Sequence, residues 1–235
     1  VETLAGWTES LPERIKSRAP RLLLYQGKAL TDRYEYEGAR KALAYAEAGF
    51  SDRGDSASLA SVHNQKATLL LFEGRYDDAL TEAQLALEMS DREQLAEQAQ
   101  AERMIGRAEI GLGRFAAGVA ELEKALALYR QIGSPYDVLN LFQDLAFAFA
   151  GQGRLEEAKS YLGEALPLAR RLGAPTQLAG VLNSLGWIHQ ARGSYREALE
   201  LYEEGLAAAR RGDDPRSQAN IAEGMATVYR DLGDH

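Results

Sequence analysis

One short pattern is spelled six times along this chain. Its anchor positions are Tyr34, Gly74, Gly113, Gly153, Gly193 and Gly233, separated by 40, 39, 40, 40 and 40 residues. Two residues after the anchors stand Tyr36, Tyr76, Phe115, Leu155 and Tyr195, and five after them Ala39, Ala79, Gly118, Ala158 and Ala198. Seven before the anchors come Gly27, Ala67, Gly106, Ala146, Gly186 and Ala226, and twelve after come Ala46, Ala86, Ala125, Ala165 and Gly205. A fixed period of this length is the mark of a solenoid, whose units cannot bury their apolar faces alone and stack on their neighbours. The small columns have one physical cause: antiparallel helices approach closely only where side chains are small. The anchor glycine supplies the left-handed conformation that stops the first helix of each pair.

The predicted fold class is all-α, a right-handed α-solenoid of antiparallel helix pairs with a period of about 40 residues. Residues 1–18 read as the end of a preceding helical unit, with Leu4, Trp7 and Leu11 on one side and a restart at Pro12. Residues 19–235 read as the superhelix, five helix pairs plus one unpaired C-terminal helix. The junctions Gly133-Ser134-Pro135, Gly173-Ala174-Pro175 and Gly212-Asp213-Asp214-Pro215 each stop one helix and start another, with Ser134 and Asp214 as N-caps ahead of a first-turn proline. In the first helices, the columns Leu22, Val62, Ala101, Leu141, Val181, Ile221 and Ala29, Leu69, Ala108, Ala148, Ile188, Val228 are seven apart, on one buried face. The unpaired last helix predicts that Ile221, Met225 and Val228 are half covered, so that the end frays or self-associates.

Chemistry is sparse. Gly111-Leu112-Gly113 and Gly151-Gln152-Gly153 follow no strand and complete no phosphate-binding pattern, so they read as helix turns. His63, His189 and His235 lack the partners a metal site needs, and His189 reads as a packed side chain with one satisfied nitrogen. Acidic pairs such as Glu156-Glu157 and Glu203-Glu204 read as solvated faces. There is no cysteine, hence no disulfide framework and no thiolate metal site. A net charge of −8 disfavours direct nucleic-acid binding, which needs a basic face. No apolar run is long enough for a bilayer and no signal peptide is visible, so a cytoplasmic location is expected. The expected protein is not an enzyme and takes no cofactor.

The Gly-x-Tyr-x-x-Ala core with these small columns resembles the tetratricopeptide repeat, whose usual length is about 34 residues. Departures are Tyr34 for Gly, Gly118 for Ala, and Gln26 and Lys66 where Leu is usual. The resemblance implies a concave groove lined by the first helices, at positions six and three before, and one and four after, the small column. These read Arg21, Leu24, Lys28, Thr31; Ser61, Asn64, Thr68, Leu71; Gln100, Arg103, Arg107, Ile110; Asn140, Gln143, Phe147, Ala150; Gly180, Asn183, Trp187, Gln190; and Asn220, Glu223, Thr227, Arg230. The set holds five basic residues and a single acid. The candidate ligand-binding residues are Asn64, Arg103, Arg107, Asn140, Gln143, Phe147, Asn183 and Trp187. Basic groups suit an anionic partner, amides a peptide backbone or sugar, and exposed aromatics an apolar anchor.

The run Trp7-Thr-Glu-Ser-Leu11-Pro12 and the following Pro20-Arg-Leu22-Leu23-Leu24-Tyr-Gln-Gly27 resemble the entry to the repeat domain of MalT-like regulators, signal-transduction ATPases with numerous domains. That resemblance implies a sensor for an inducer, peptide or protein partner, in a transcription regulator, of which this chain is the sensor piece alone. The alternative reading is a stand-alone adaptor that binds peptides, similar to co-chaperone tetratricopeptide domains.

Overall fold

The computed structural model describes residues 19–233. The expected unit over residues 1–18, with its Trp7 motif, and His235 lie outside the described residues. Among the described residues the chain forms eleven helices and no strand: α1 (Pro20–Asp32), α2 (Tyr36–Ser51), α3 (Ser56–Phe72), α4 (Tyr76–Met89), α5 (Leu95–Gly111), α6 (Phe115–Ile132), α7 (Pro135–Gly151), α8 (Leu155–Leu172), α9 (Pro175–Ala191), α10 (Tyr195–Arg211) and α11 (Pro215–Leu232). The all-α expectation holds. Each second helix begins at the column two residues after the anchor, because the anchor ends the preceding helix.

Gly74, Gly113, Gly153, Gly193 and Gly233 all have φ between 72 and 80°. Tyr34 takes the same left-handed conformation at φ 63°, which costs a side chain on the order of 1 kcal/mol. Edge-on contacts of its ring with Tyr36 (6.2 Å between centroids) and Phe72 (6.1 Å) offset that strain. The last junction departs from expectation. Gly212 is right-handed at φ −84°, and Asp213 turns the chain at φ 48°. Gly212 serves close approach, since a Cβ there would sit 2.8 Å from Thr176 Oγ1. Asp214 caps α11 by accepting a bond from the Ser217 amide at 3.0 Å. Ser134 precedes α7 as expected but does not cap it through the backbone; its hydroxyl donates to Asp137 Oδ2 at 2.5 Å.

The chain divides into two compact units, one ending at Ile132 and one beginning at Gly133. In the first, α1–α2, α3–α4 and α5–α6 are antiparallel pairs and α3 packs on both α1 and α5. Its core includes the buried columns Ala39, Ala79, Ala46, Ala86, Val62, Leu69 and Ala108; Leu22, expected inside, is only half-buried and the neighbouring Leu23 takes its place. In the second unit α7–α8 and α9–α10 pair, and α11 packs on α9 and α10.

Within four of the five pairs a large residue faces the small column, the exception being Ala83 opposite Ala67. The facing residue lies sixteen positions on: Leu43 opposite Gly27, Ala83 opposite Ala67, Leu122 opposite Gly106, Leu162 opposite Ala146 and Tyr202 opposite Gly186. A Cβ on Gly27 would meet Leu43 at 2.6 Å, on Gly106 Leu122 at 2.8 Å, and on Gly186 Tyr202 at 2.6 Å. These three glycines are therefore required by the bulk opposite them. The corresponding Ala226 on α11 is exposed. Of the three residues expected to be half covered, Ile221 and Val228 are fully buried, because α9 and α10 seat that stripe of α11, and Met225 is half-buried as expected.

Candidate binding cleft

The second unit contains a cleft of about 610 Å³, lined from α7, α9 and α11, with Leu162 and Tyr202 contributed by α8 and α10. Its walls include Phe147, Asn183, Trp187, Gln190, Asn220, Glu223 and Thr227, all at positions the repeat register assigns to the groove. Phe147 and Trp187 follow the small column by one residue, which turns them away from the paired helix. They remain 69% and 47% exposed, among the largest apolar side chains outside the core.

Tyr202 builds the floor. Its ring is 1% exposed and lies against both Gly186 on α9 and Gly224 on α11, where added Cβ atoms would be 2.6 and 2.7 Å from ring carbons. Burial pushes its hydroxyl pKa up to about 12, so the group stays protonated and donates to Gln190 Oε1 at 2.8 Å. Gln190 is thereby oriented, with its carbonyl oxygen bonded and its amide N–H groups as the remaining donors. Thr227 commits its hydroxyl to the Glu223 carbonyl at 3.0 Å. Asn183, Asn220 and the Glu223 carboxylate carry no hydrogen bond or ion pair among the described residues. Tyr202 and Gly224 were not singled out in the sequence; the signal was the pairing of a large residue with two glycines on neighbouring first helices.

The structure brings together Phe147, Asn183 and Trp187, and leaves the other candidates elsewhere. Asn140 and Gln143 are half-buried on α7 and do not line the cleft; a Cβ on Gly180 would lie 2.6 Å from Gln143 Oε1, so that amide rests on α9. Arg103 and Arg107 are half-buried on α5, in the first unit. Asn64, also in the first unit, is 2% exposed and donates its amide to the Glu97 carbonyl at 3.0 Å. The basic residues proposed for a ligand anion thus do not line this cleft, whose one carboxylate is Glu223.

Several polar groups outside the cleft have structural partners. Buried His63 bonds through Nδ1 to Glu82 at 2.6 Å, and Lys66 bridges to Glu47 at 2.7 Å. Burial raises the Glu82 carboxyl, but His63 and Lys66 outweigh it and the net shift is downward. Glu102, on α5, is driven up to about 7 by burial and by the neighbouring Glu121 of α6. His189 departs from expectation: its Nδ1 is buried without a partner among the described residues, and its pKa is lowered by burial and by the nearby charges of Lys159 and Arg192. Of the acidic pairs, Glu156 is ion-paired with Arg192, Glu157 with Arg154 at 2.9 Å and Glu204 with Arg170 at 2.8 Å, all on the surface. No helix of the described residues is long and apolar enough to cross a membrane.

The tetratricopeptide-repeat family model matches residues 97–171 and 137–211. These residues are tetratricopeptide repeats, and the helix-pair stacking has the same form. No curated protein matches the sequence. Among solved structures, the chain is similar to a Rap protein complexed with competence and sporulation factor, at 16% identity and a TM-score of 0.84, covering 99% of this chain and 68% of that one. It is also similar to the Rap conjugation gene regulator of plasmid pLS20 in complex with the Phr* peptide (19% identity, TM-score 0.75, 90% of this chain and 62% of that one). A third similarity is to a signal-transduction ATPase with numerous domains and a tetratricopeptide repeat sensor from Pyrococcus horikoshii (16% identity, TM-score 0.68, 98% of this chain and 36% of that one). At these identities the likeness is one of fold.

Proposed function

We propose that this chain is a non-catalytic interaction scaffold that binds a peptide segment in the α7–α9–α11 cleft, and that it serves as the sensor of a signal-transduction ATPase of MalT-like organisation. The observation that carries the binding reading is the pair of exposed rings, Phe147 and Trp187, on a cleft whose remaining walls are rich in amides. Amides satisfy backbone donors and acceptors together, and rings supply apolar area at low entropic cost. The Phr* peptide complex of a similar fold supports a peptide as the ligand class. The Pyrococcus horikoshii protein supports the sensor context, as does the Trp7 motif.

The test starts from a phage-displayed random peptide library selected on the full chain. Trp187 fluorescence reports binding in a Trp7→Phe background, since the chain has two tryptophans. Trp187→Ala and Phe147→Ala, read by calorimetry, are each expected to weaken the selected peptides by about 2 kcal/mol. Unchanged affinity in both folded variants removes the cleft as the site. Arg107→Glu asks separately whether the basic residues of α5 contribute.

A further inference from the structure

The charge of the cleft is opposite to that of the groove positions as a set. The register gives the groove five basic residues and one acid, yet the residues lining the cleft include that acid, Glu223, and no Lys, Arg or His. Glu223 has no ion pair among the described residues, and the basic groove residue of the same helix, Arg230, pairs with Asp231 at 3.6 Å. The same cleft is lined by Phe147 and Trp187, whose ring faces attract cations through the ring quadrupole. The remaining polar groups are neutral amides and hydroxyls, which do not cancel its charge. A net charge of −8 on the chain draws cations toward it in addition.

We propose that the cleft selects a polypeptide segment bearing a Lys or Arg side chain, with the cationic head on Glu223 and the methylene stem along the aromatic wall. This rests on the peptide-binding reading above and adds its specificity. The long stem covers apolar surface while the head reaches the carboxylate. An Arg head can take both carboxylate oxygens at once. An acidic segment would be repelled by an unpaired carboxylate in a partly enclosed space.

The experiment uses the selected peptides, resynthesised with blocked termini, and copies in which each Lys or Arg is replaced by norleucine. On the unaltered chain the norleucine copies are expected to bind about tenfold more weakly, the scale of one charge-assisted hydrogen bond. On Glu223→Gln the basic and norleucine peptides should bind alike, and Glu223→Lys should turn the preference toward Glu-containing copies. Selected peptides without basic residues, or an undiminished preference on Glu223→Gln, overturn the proposal. If Trp187→Ala still weakens those peptides, only the charge specificity has failed. If no selected peptide depends on Trp187, the peptide site fails with it.

Discussion

Two places in the same register of the repeat are filled in opposite ways. In the first unit the second helix offers a small residue, Ala83, and the next first helix fills the gap with Met104, both buried in one cluster with Ala67. In the second unit the equivalents are exchanged in size: Tyr202 is the large residue and Gly224 the small one. The space is filled either way, but the consequences differ. Met104 is apolar throughout and accepts only a weak contact from Thr68 Oγ1 at 3.2 Å. Tyr202 donates its hydroxyl to Gln190 on the cleft wall, and its ring takes up the space beside Gly224, which also lines the cleft. The paired asparagines follow suit. Asn64 and Asn183 stand at the same repeat position, yet Asn64 is bonded to Glu97 of the next first helix and Asn183 lines open space. A solenoid can thus hold one backbone pattern while side-chain size decides which columns are stapled and which stay available.

The largest expected effect comes from removing the wedge. Tyr202→Ala should cost about 3–5 kcal/mol, as buried aromatic truncations do, read as a lowered denaturation midpoint for the second unit. Gly224→Met alone should also destabilise, because its Cβ would lie 2.7 Å from the Tyr202 ring. Combining the two recreates the Ala83–Met104 arrangement. The double variant should be more stable than the sum of its single losses predicts, while peptide binding is lost because the introduced methionine side chain then occupies the floor. A strictly additive double variant would show that the exchange of sizes is incidental.

The asparagine comparison is sharpened by truncating both. Asn64→Ala should lower stability by about 1 kcal/mol, the typical net worth of a hydrogen bond, since the Glu97 carbonyl loses its side-chain donor. Asn183→Ala should fall within about 0.5 kcal/mol in stability and act on ligand affinity instead. Equal stability losses in the two variants would erase the distinction between a stapled and an open column.

A smaller, pH-dependent difference belongs to the first unit. Glu102 is raised to about 7 by burial and by Glu121. Its folded-state pKa lies above the value of 4.5 for a free Glu side chain, so the folded state holds this proton more tightly. Its contribution to stability is therefore present at acid pH and is lost as pH rises through about 7. Denaturation midpoints across that range should fall more steeply for the unaltered chain than for Glu102→Gln. Parallel slopes would show that the carboxyl pair is not linked to folding.

The backbone was legible in the sequence because its determinants are local. Small residues and anchor glycines at a fixed period set where helices stop and where they touch, and helix starts such as Tyr76, Phe115 and Leu155 follow directly. The cleft was legible in part: Phe147, Asn183 and Trp187 lie on its walls because groove positions are a matter of register. The rest depended on relations between columns. That Asn64 would donate its amide to the Glu97 carbonyl, or that Tyr202 would wedge against Gly224, requires knowing which groups of neighbouring helices meet. The charge also misled. Summing over the groove positions gave a basic total, whereas the cleft samples only those of α7, α9 and α11 and so contains Glu223 without the arginines of α5.

The smallest effect on stability is expected at the outward face of α11. Of the anticipated sticky residues Ile221 and Val228 are buried and Met225 is half-buried, and the apolar groups left outside include Ala222, Ala226, Tyr229 at 40% exposure and Leu232 at 49%. Ala226 stands where Ala67 and Ala146 meet a paired second helix, so this face has the shape of a helix-packing surface with no helix on it among the described residues. Substituting Tyr229→Lys and Leu232→Lys removes apolar area that is already half in water, so the folding free energy should move by less than about 0.5 kcal/mol. Association is the sensitive quantity. Sedimentation velocity over a concentration series should show the unaltered chain shifting to larger species and the double variant remaining monomeric. A chain that stays monomeric throughout, with α11 as protected from hydrogen exchange as α9, would mean that the stripe seated on α9 and α10 is enough to hold α11 and that its outward face drives no association.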